Sequence, residues 1–571
     1  MKETAFEQTV YSINEFLSVD VATWGERLKK HHLQCMQQAA NGPQRKAWFD
    51  CFNILRECFK TLEDYSPKAH LIFEYELPRE RGRRPDVLML SGNNLIVLEF
   101  KGYARESLAQ VDQVKHYARD LEHYHLESRN LQVIPVLVLG QGTGIHKNID
   151  GVEIVTGDQL CHLLLSLIKD PFVRIEKWFE SEYSPLPSLV QAAQLLYKEK
   201  SFPKIKRSQS AGIPNTLKKL HQILRESKKN KDHHLALITG VPGAGKTLVG
   251  LQFVFEEYVQ ENDQTAVFLS GNRPLVQVLQ KSLKSTHFVQ DVNGFLKQYA
   301  HSKQLPKEDV IIYDEAQRAW DAERVIASHR EGNNSEPVDF INIGDRKENC
   351  LLIGLIGEGQ EIHLGEESGM DLWTEAISVS NNQWKIHCPE KLADHFLGSP
   401  VSTDEDFNLT TSLRTHQALT LQQWVEALLE NQPEESYLLS ADLFKEGYPL
   451  YVTRDLEKAK SYVKQKYEGE NDKTFGLMAS SKSQLLPRFG VKNDFNSTRF
   501  NPAYYVDSSS GSYCCNLNMV VTEFGCQGLE LDMPIVAWEA DWIYDNGWKN
   551  KGPNYKAKDP DNLKKNAIGS F

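Results

Sequence analysis

Gly240-Val241-Pro242-Gly243-Ala244-Gly245-Lys246-Thr247 follows the apolar run Leu235–Ile238 and leads into another apolar run from Leu248. This order predicts a strand, a tight loop and a helix. Backbone N–H groups of a glycine-rich turn at a helix N-terminus point at one spot, where they can hold phosphate oxygens. Lys246 would reach the outer phosphates, and the Thr247 hydroxyl would bind Mg2+. The stretch therefore predicts a nucleoside triphosphate with its magnesium rather than a dinucleotide. The glycines that would shape the loop are Gly240, Gly243 and Gly245.

Two further apolar runs predict neighbouring strands of the same sheet. Thr265–Leu269 ends in Ser270-Gly271-Asn272, and Asp309–Tyr313 ends in Asp314 and Glu315. A parallel strand that brings two acids to its C-terminal edge would place Asp314 on the magnesium and Glu315 near the attacking water as a base. This arrangement favours hydrolysis of the nucleotide over binding alone.

A predicted hairpin near the N-terminus brings two carboxylates together. Its turn is Ser91-Gly92-Asn93-Asn94, so that Asp86 and Glu99, 13 positions apart, should lie side by side. Adjacent carboxylates repel each other unless a cation lies between them, which is how a Mg2+ or Mn2+ site is built. Lys101 emerges on the same face of the strand as Glu99 and could orient or help to activate a water. The predicted strands of this region are Leu71–Leu77, Val87–Leu90 and Leu95–Phe100.

Composition limits the class of protein. A chain of 571 residues suggests about three or four domains. No apolar run is long enough to cross a bilayer, and no signal pattern opens the chain, so we expect a cytoplasmic protein without a membrane partner. The nine cysteines include no C-x2-C pair, which argues against a zinc ribbon. The net charge of −12 argues against general coating of nucleic acid but allows a local basic track.

The N-terminal residues resemble the PD-(D/E)xK nuclease family. The resemblance rests on Pro85-Asp86, Glu99-x-Lys101 and Gln113-x-x-x-Tyr117, and covers about residues 44 to 140. It implies that Asp86 and Glu99 hold the metal and that Lys101 serves the hydrolytic water. It also implies that the helix carrying Gln113 and Tyr117 faces the nucleic acid. An additional upstream acid is usual in the family; Glu74 is the first choice, and Glu57 and Glu76 are its rivals.

The second half resembles superfamily 1 helicases, beginning with Asp314-Glu315-Ala316-Gln317. The order of later motifs extends the resemblance over about residues 233 to 540. It implies that Gln360 senses the nucleotide, that Arg414 is an arginine finger, and that Ser270, Asn272 and Thr522 contact nucleic acid, while Glu530 reaches the nucleotide. The later motifs are Gly357-Glu358-Gly359-Gln360, Ser412-Leu413-Arg414-Thr415, and Thr522 with Gln527-Gly528-Leu529-Glu530.

More narrowly, Asp314 to Arg318 with Trp320, Leu413-Arg414 and Gln527 to Glu530 resemble the helicase group that includes Schlafen-type domains. The expected fold class is α/β, with a restriction-endonuclease-like domain followed by two RecA-like P-loop lobes. The expected ranges are a nuclease domain at 1–165, a helical linker at 166–232, a first lobe at 233–400 and a second lobe at 401–571.

These resemblances imply an ATP-dependent translocase or helicase coupled to a metal-dependent nuclease, as in prokaryotic anti-phage proteins. The cofactors would be ATP and Mg2+, with Mn2+ an alternative at the nuclease site. DNA is favoured over RNA as the partner, and a second copy of the chain or a defence-system protein is a further expected partner. One alternative is an ATP-gated sensor that controls the nuclease without unwinding, and another is a binding scaffold with both sites inactive. The chain stops at Phe571, where the family's last arginine-bearing strand should begin, which favours a truncated chain over an arginine supplied by a partner.

Overall fold

The computed structural model describes most of the chain and divides it into two units. The first unit is Met1–Pro185 with Phe444–Phe475, and the second is Leu186–Leu443 with Gly476–Phe571. The residues described are 4–36, 39–61, 69–78, 83–168, 171–172, 174–183, 188–199, 212–240, 244–261, 266–328, 332–357, 368–409, 416–470, 473–481, 483, 485–493, 500–526, 528–539, 542–544 and 547–550.

The described helices, numbered along the chain, are α1 Ala5–Thr9, α2 Ile13–Ser18, α3 Val21–Met36, α4 Gly42–Lys60, α5 Leu108–Tyr124, α6 Gly157–Leu167, α7 Ile175–Phe179, α8 Leu189–Glu199, α9 Ile213–Asn230, α10 Lys246–Glu261, α11 Arg273–Leu283, α12 Val292–Tyr299, α13 Ala322–Ala327, α14 Glu336–Asp345, α15 Ser368–Ser378, α16 His416–Leu429, α17 Pro433–Lys445, α18 Leu456–Lys466, α19 Ala503–Val506 and α20 Glu523–Cys526. The described strands are β1 Val10–Ser12, β2 His70–Phe73, β3 Val87–Ser91, β4 Asn94–Lys101, β5 Gln132–Leu139, β6 His146–Ile149, β7 Val152–Thr156, β8 His233–Gly240, β9 Ala266–Ser270, β10 Val289–Asp291, β11 Val310–Asp314, β12 Cys350–Gly357, β13 Trp384–Cys388, β14 Val401–Thr403, β15 Asn408–Leu409, β16 Phe475–Ala479, β17 Val520–Val521, β18 Met533–Ala537, β19 Trp542–Tyr544 and β20 Trp548–Asn550.

The first unit is built on a mixed sheet with the strand order β1-β2-β3-β4-β5-β7-β6. Strands β2, β3 and β4 form an antiparallel meander, and β5 then pairs parallel to β4. The parallel pair requires a crossover, which α5 provides. Ser107 caps the N-terminus of α5 by accepting a hydrogen bond from the Gln110 N–H in a capping box. This topology places the end of β4 and the start of α5 at the same edge of the sheet.

Apolar clusters fill both faces of this sheet. Helices α2, α3, α4 and α6 cover one face, where Phe16, Trp24 and Phe52 are fully buried. Helix α5 and α7 cover the other face, where Trp178 is fully buried. The continuous apolar runs of β3, β4 and β5 suit a sheet that is covered on both sides.

Residues 444–475 belong to the first unit although they lie in the middle of the second unit's chain. The sequence prediction assigned them to the second RecA-like lobe. In the structure α18 of this segment packs against α5. We call residues 444–475 the crossing segment.

The second unit is built on a parallel sheet with the order β10-β9-β11-β12-β8-β13-β14, and β15 also pairs with β8. All residues of β8 and β12 are buried, which agrees with the expectation of apolar parallel strands in this region. Strands β14 and β15 extend the sheet past the predicted lobe boundary at residue 400. A smaller sheet has the order β17-β16-β18. Among the described residues, no helix combines the length and the apolar character needed to cross a lipid bilayer.

Candidate functional site

The phosphate loop lies between the end of β8 at Gly240 and the start of α10 at Lys246. Gly245 has a φ of 91°, a backbone conformation that favours glycine. Lys246 Nζ donates a hydrogen bond to Gly240 O at 2.7 Å, so the ammonium group folds back over the loop. Gly243 lies outside the described residues. The described ends of the loop have the strand, turn and helix order that the sequence predicts.

The structure brings Thr247 and Asp314 together at the C-terminal edge of the sheet. Thr247 Oγ1 donates to Asp314 Oδ1 at 3.2 Å. Burial and the neighbouring Glu315 raise the pKa of Asp314 to about 7, against the opposing effects of Thr247 and Lys246. The raised pKa means that Asp314 ionises readily only when a cation lies beside it. Carboxylates of this kind are typical ligands of Mg2+.

Glu315 follows Asp314 in a left-handed backbone conformation with a φ of 57°. Gln317 Nε2 donates to Glu315 Oε2 at 2.5 Å, and Gln317 Oε1 accepts from the Gly357 N–H at 3.0 Å. Gln317 therefore connects the predicted base to the end of the neighbouring strand β12. The sequence motif contained Gln317, but no role was predicted for it; its position after two acids at a strand end was the available signal.

The strand β15 approaches the phosphate loop closely. Leu409 pairs with Gly240, and a Cβ added at Gly240 would lie 2.8 Å from Leu409 O. Glycine is therefore required at this position by space, independently of phosphate binding. The predicted arginine finger Arg414 and the predicted sensor Gln360 both lie outside the described residues.

In the second unit, the residues predicted to contact nucleic acid lie in two segments, one at the end of β9 and the other beside the late motif. These two segments approach each other. Ser270 Oγ accepts from the Asn272 N–H at 3.2 Å, and Asn272 Oδ1 accepts from the Leu275 N–H as the N-cap of α11. A Cβ added at Gly528 would lie 2.8 Å from Asn272 Nδ2, so the late motif reaches Asn272. Thr522, directly before α20, is buried. Glu530 is exposed to solvent.

In the first unit, Asp86 and Glu99 lie side by side across the β3–β4 pair. Asp86 Oδ2 accepts from the Phe100 N–H at 2.7 Å, and Glu99 Oε2 accepts from the Asp86 N–H at 3.4 Å. Lys101 Nζ lies 3.0 Å from Glu99 Oε1. These three side chains, which we call the carboxylate cluster, occupy the edge of the sheet from which α5 begins.

Burial makes the charges of the carboxylate cluster unfavourable. It raises the pKa of Asp86 to about 6, with Glu74 adding to the effect, and the pKa of Glu99 to about 7, with Asp86 adding to it. Burial acts against the charge of Lys101, but Glu99 and Asp86 together raise its pKa above the ordinary value. One lysine does not compensate two buried carboxylates, so the cluster favours a further cation.

Glu74 is already engaged by other groups. Its Oε1 accepts from Trp48 Nε1 at 2.7 Å, and its Oε2 pairs with Arg84 Nε. Burial nevertheless raises the pKa of Glu74, and Glu99 adds to that effect. Glu74 can serve a metal only by exchanging these partners. The sequence did not indicate Arg84 or Trp48 as partners, since their approach depends on packing. Of the rivals, Glu57 forms an exposed i, i+3 ion pair with Lys60, and Glu76 acts on the pKa of His31 and Cys35.

The chemistry of the carboxylate cluster fits a hydrated divalent cation. Among the described residues, no three histidine, cysteine, aspartate or glutamate side chains converge closely enough to hold a metal ion alone. Mg2+ usually keeps several waters and takes one or two protein carboxylates together with substrate phosphates. Asp86 with Glu99 meets that requirement in the first unit, and Asp314 with Thr247 meets it in the second.

Gln113 and Tyr117 are buried. Gln113 Nε2 donates to Glu468 O at 3.3 Å, and the Arg83 guanidinium carbon lies 4.8 Å from the centre of the Tyr117 ring. Both side chains are at most 3% exposed. On the helix face predicted to meet nucleic acid, Gln113 is therefore covered by the crossing segment and Tyr117 by Arg83.

The comparison with protein-family models agrees with the second half of this description. The family model described as Schlafen group 3, DNA/RNA helicase domain, matches residues 233–568, more than half of the chain. The helicase domain of Hef from Pyrococcus furiosus is a structural match at 12% sequence identity, covering 56% of this chain and 88% of that chain, with a TM-score of 0.23. No curated protein matches the chain. A helicase domain implies ATP binding, typically with Mg2+.

Proposed function

The chain belongs to the Schlafen group 3 DNA/RNA helicase family, and on that premise we propose that it is an ATP-dependent translocase or helicase coupled to a metal-dependent nuclease. Its biological setting would be prokaryotic defence against phage, and DNA is the favoured substrate over RNA. The contact between Thr247 and Asp314 beside the phosphate loop is the observation that carries the motor half of this proposal.

In the motor half, Lys246 would exchange Gly240 O for the outer phosphates of ATP, which are stronger acceptors. Thr247 and Asp314 would hold Mg2+, which when bound neutralises charge on the phosphates. Gly243 and Gly245 would leave space for the phosphates beside the backbone. The ribose end of the nucleotide would be reached by Glu530.

Hydrolysis would require a positioned water and a second lobe. Glu315 would act as the base, and its hydrogen bond from Gln317 would hold the carboxylate in place. Gln317 also accepts a hydrogen bond from the Gly357 N–H at the end of β12, three positions before the predicted sensor Gln360. A displacement of the end of β12 would therefore be passed through Gln317 to Glu315. Arg414 would stabilise the γ-phosphate; Leu409, five positions before it, pairs with Gly240 of the loop.

Nucleic acid would bind the second unit where Ser270, Asn272 and Thr522 meet the late motif. The proximity of Gly528 to Asn272 supports this assignment, because one strand could contact both motifs. Phosphate contacts and base stacking predict binding that weakens with salt and has little sequence preference.

In the nuclease half, Asp86 and Glu99 would hold the metal, with Mg2+ favoured and Mn2+ an alternative. Lys101 would orient the hydrolytic water or steady charge on the phosphate. The antiparallel meander followed by α5 and a parallel strand supports a PD-(D/E)xK fold. Glu74 would take part only after leaving Trp48 and Arg84, and Gln113 and Tyr117 would face substrate only when uncovered.

The burial of Gln113 and Tyr117 favours one alternative, an ATP-gated switch that controls the nuclease without unwinding. The two functions are separated by incubating the full-length protein with labelled single- and double-stranded DNA and RNA, with Mg2+, with and without ATP. Strand displacement that requires ATP and is lost in Lys246→Ala supports the helicase. ATP turnover with cleavage but no displacement supports the switch.

Cleavage that is lost in Asp86→Ala while ATP turnover persists would assign the nuclease to the first unit. Exposed Glu57, which pairs with Lys60 on α4, offers the matched control: Glu57→Ala should cleave like the wild type. Equal cleavage by Asp86→Ala and the wild type would refute the assignment.

A further inference from the structure

The carboxylate cluster is largely covered, with Asp86 and Lys101 partly exposed and Glu99 buried. The side chain of Glu99 is 6% exposed and that of Lys101 is 15% exposed. A phosphodiester must bring its oxygens within about 3 Å of such groups to react. Movement of a neighbouring part of the first unit would widen the access of a nucleic-acid backbone to the cluster.

The crossing segment lies at this approach. Helix α5 begins seven residues after Lys101, where β4 ends, so its first turns border the cluster. Gln113 in those turns donates to Glu468 O of the crossing segment. The carboxylate of Glu468 is also close enough to contribute to the raised pKa of Lys101. Glu468 therefore lies near the side of the cluster from which α5 begins.

The crossing segment is attached to α5 by polar contacts. Asp112 on α5 accepts hydrogen bonds from the hydroxyls of Tyr451, at 2.9 Å, and Tyr462. Among the described residues, neither of the two apolar clusters on the faces of this unit's sheet includes a residue of the crossing segment.

Side chains of α5 also bind main-chain carbonyls of the segment. Gly447 O accepts from Arg119 Nη1 at 3.2 Å and lies 3.0 Å from His116 Nε2, and Phe444 O accepts from Lys115 Nζ at 3.4 Å. When these side chains leave the carbonyl oxygens, they can donate to water or to phosphate oxygens instead, at small net cost. The loss of a buried apolar contact is not compensated by water in this way. These contacts with α5 are therefore of a type that can be exchanged.

Both ends of the crossing segment are continuous in sequence with the second unit. The chain leaves that unit after Leu443 and returns to it at Gly476. A displacement of Leu443 or Gly476 would therefore be passed along the chain to an end of the segment. We propose that the crossing segment is a releasable cover over the carboxylate cluster, and that the nucleotide state of the second unit decides whether the cover is closed. This inference rests on the proposed nuclease function, which it deepens by giving the regulation of that site.

The test uses the full chain and the double variant Tyr451→Phe/Tyr462→Phe, which removes both hydroxyl donors to Asp112 and leaves the cluster intact. The matched control is Tyr437→Phe, since Tyr437 is 75% exposed. Loss of two hydrogen bonds should shift the closed-to-open equilibrium about tenfold. We expect faster amide hydrogen exchange in residues 444–470 and about tenfold faster Mg2+-dependent cleavage of DNA. The control should match the wild type in both measurements.

A second arm measures exchange in the wild type and in Lys246→Ala, with and without a non-hydrolysable ATP analogue. Nucleotide-dependent exchange in residues 444–470 that is lost in Lys246→Ala supports the cover. Exchange that is faster in the double variant while cleavage stays at the wild-type rate overturns it, as does exchange that no variant or nucleotide alters. If neither the wild type nor any variant shows cleavage that depends on Asp86, the proposed nuclease function is refuted. The hydrogen-exchange measurements still decide in that case whether the segment is releasable.

Discussion

Replacing Gly240 by alanine tests the close approach of β15 to the phosphate loop. The added Cβ would lie 2.8 Å from Leu409 O and 2.9 Å from Leu409 Cβ, closer than carbon atoms normally come. The oxygen belongs to the backbone of a paired strand, so relief requires β8 and β15 to separate. Overpacking of this kind costs about 1–3 kcal/mol. For a unit as large as the second one this predicts a fall in Tm of about 1–4 °C.

Gly271→Ala is the matched control for this substitution. Gly271 follows β9 in the same sheet, and an added Cβ there would meet no atom within 4 Å. Differential scanning calorimetry of the wild type and both variants should show a lower Tm for Gly240→Ala alone. Nucleotide affinity should fall with it, because the shifted strand carries the start of the loop. Equal melting temperatures for the two variants would refute the predicted contact between β15 and the loop.

Two pH-dependent effects follow from the buried charges. The pKa values of Asp86 and Glu99 are raised in the folded state, so their contribution to the stability of the first unit should be greatest below about pH 4. This contribution should be lost as pH rises through about 7, which lowers the Tm. At pH 8, added Mg2+ or Mn2+ should restore the Tm of the wild type but not that of Glu99→Gln. Burial alone would lower the pKa of His221, but hydrogen bonds to Glu256 and Glu257 raise it to about 9. Urea denaturation should therefore show that His221→Gln loses about 1–2 kcal/mol of unfolding free energy at pH 6 and little at pH 10. An equal loss at both pH values would contradict a charged His221.

Local patterns in the sequence predicted the elements that place the sites. The hairpin turn at Ser91 to Asn94 was sufficient to pair Asp86 with Glu99, because an antiparallel register follows from its turn. The apolar strands before Gly240 and Asp314 likewise predicted the edge at which Thr247 and Asp314 meet. In both cases the information lies within a few residues of the site.

Contacts between distant segments could not be predicted in this way. The crossing segment docks on α5 more than 300 positions away through tyrosines and main-chain carbonyls, and nothing in its local sequence indicates that partner. The pairing of Glu74 with Arg84 is equally a result of packing. The contact of Gln113 with Glu468 belongs to the same docking. Sequence periodicity shows which face of a helix is apolar but not what covers a polar face.

ATP turnover by the full-length wild type and by Lys246→Ala, with and without single-stranded DNA, tests the central claim most directly. The account predicts that DNA stimulates turnover in the wild type. It also predicts that Lys246→Ala loses turnover by about 100-fold or more, because a charged donor to the outer phosphates is removed. Turnover by Lys246→Ala at the wild-type rate, or the same rate with and without DNA in the wild type, would contradict an ATP-driven nucleic-acid motor.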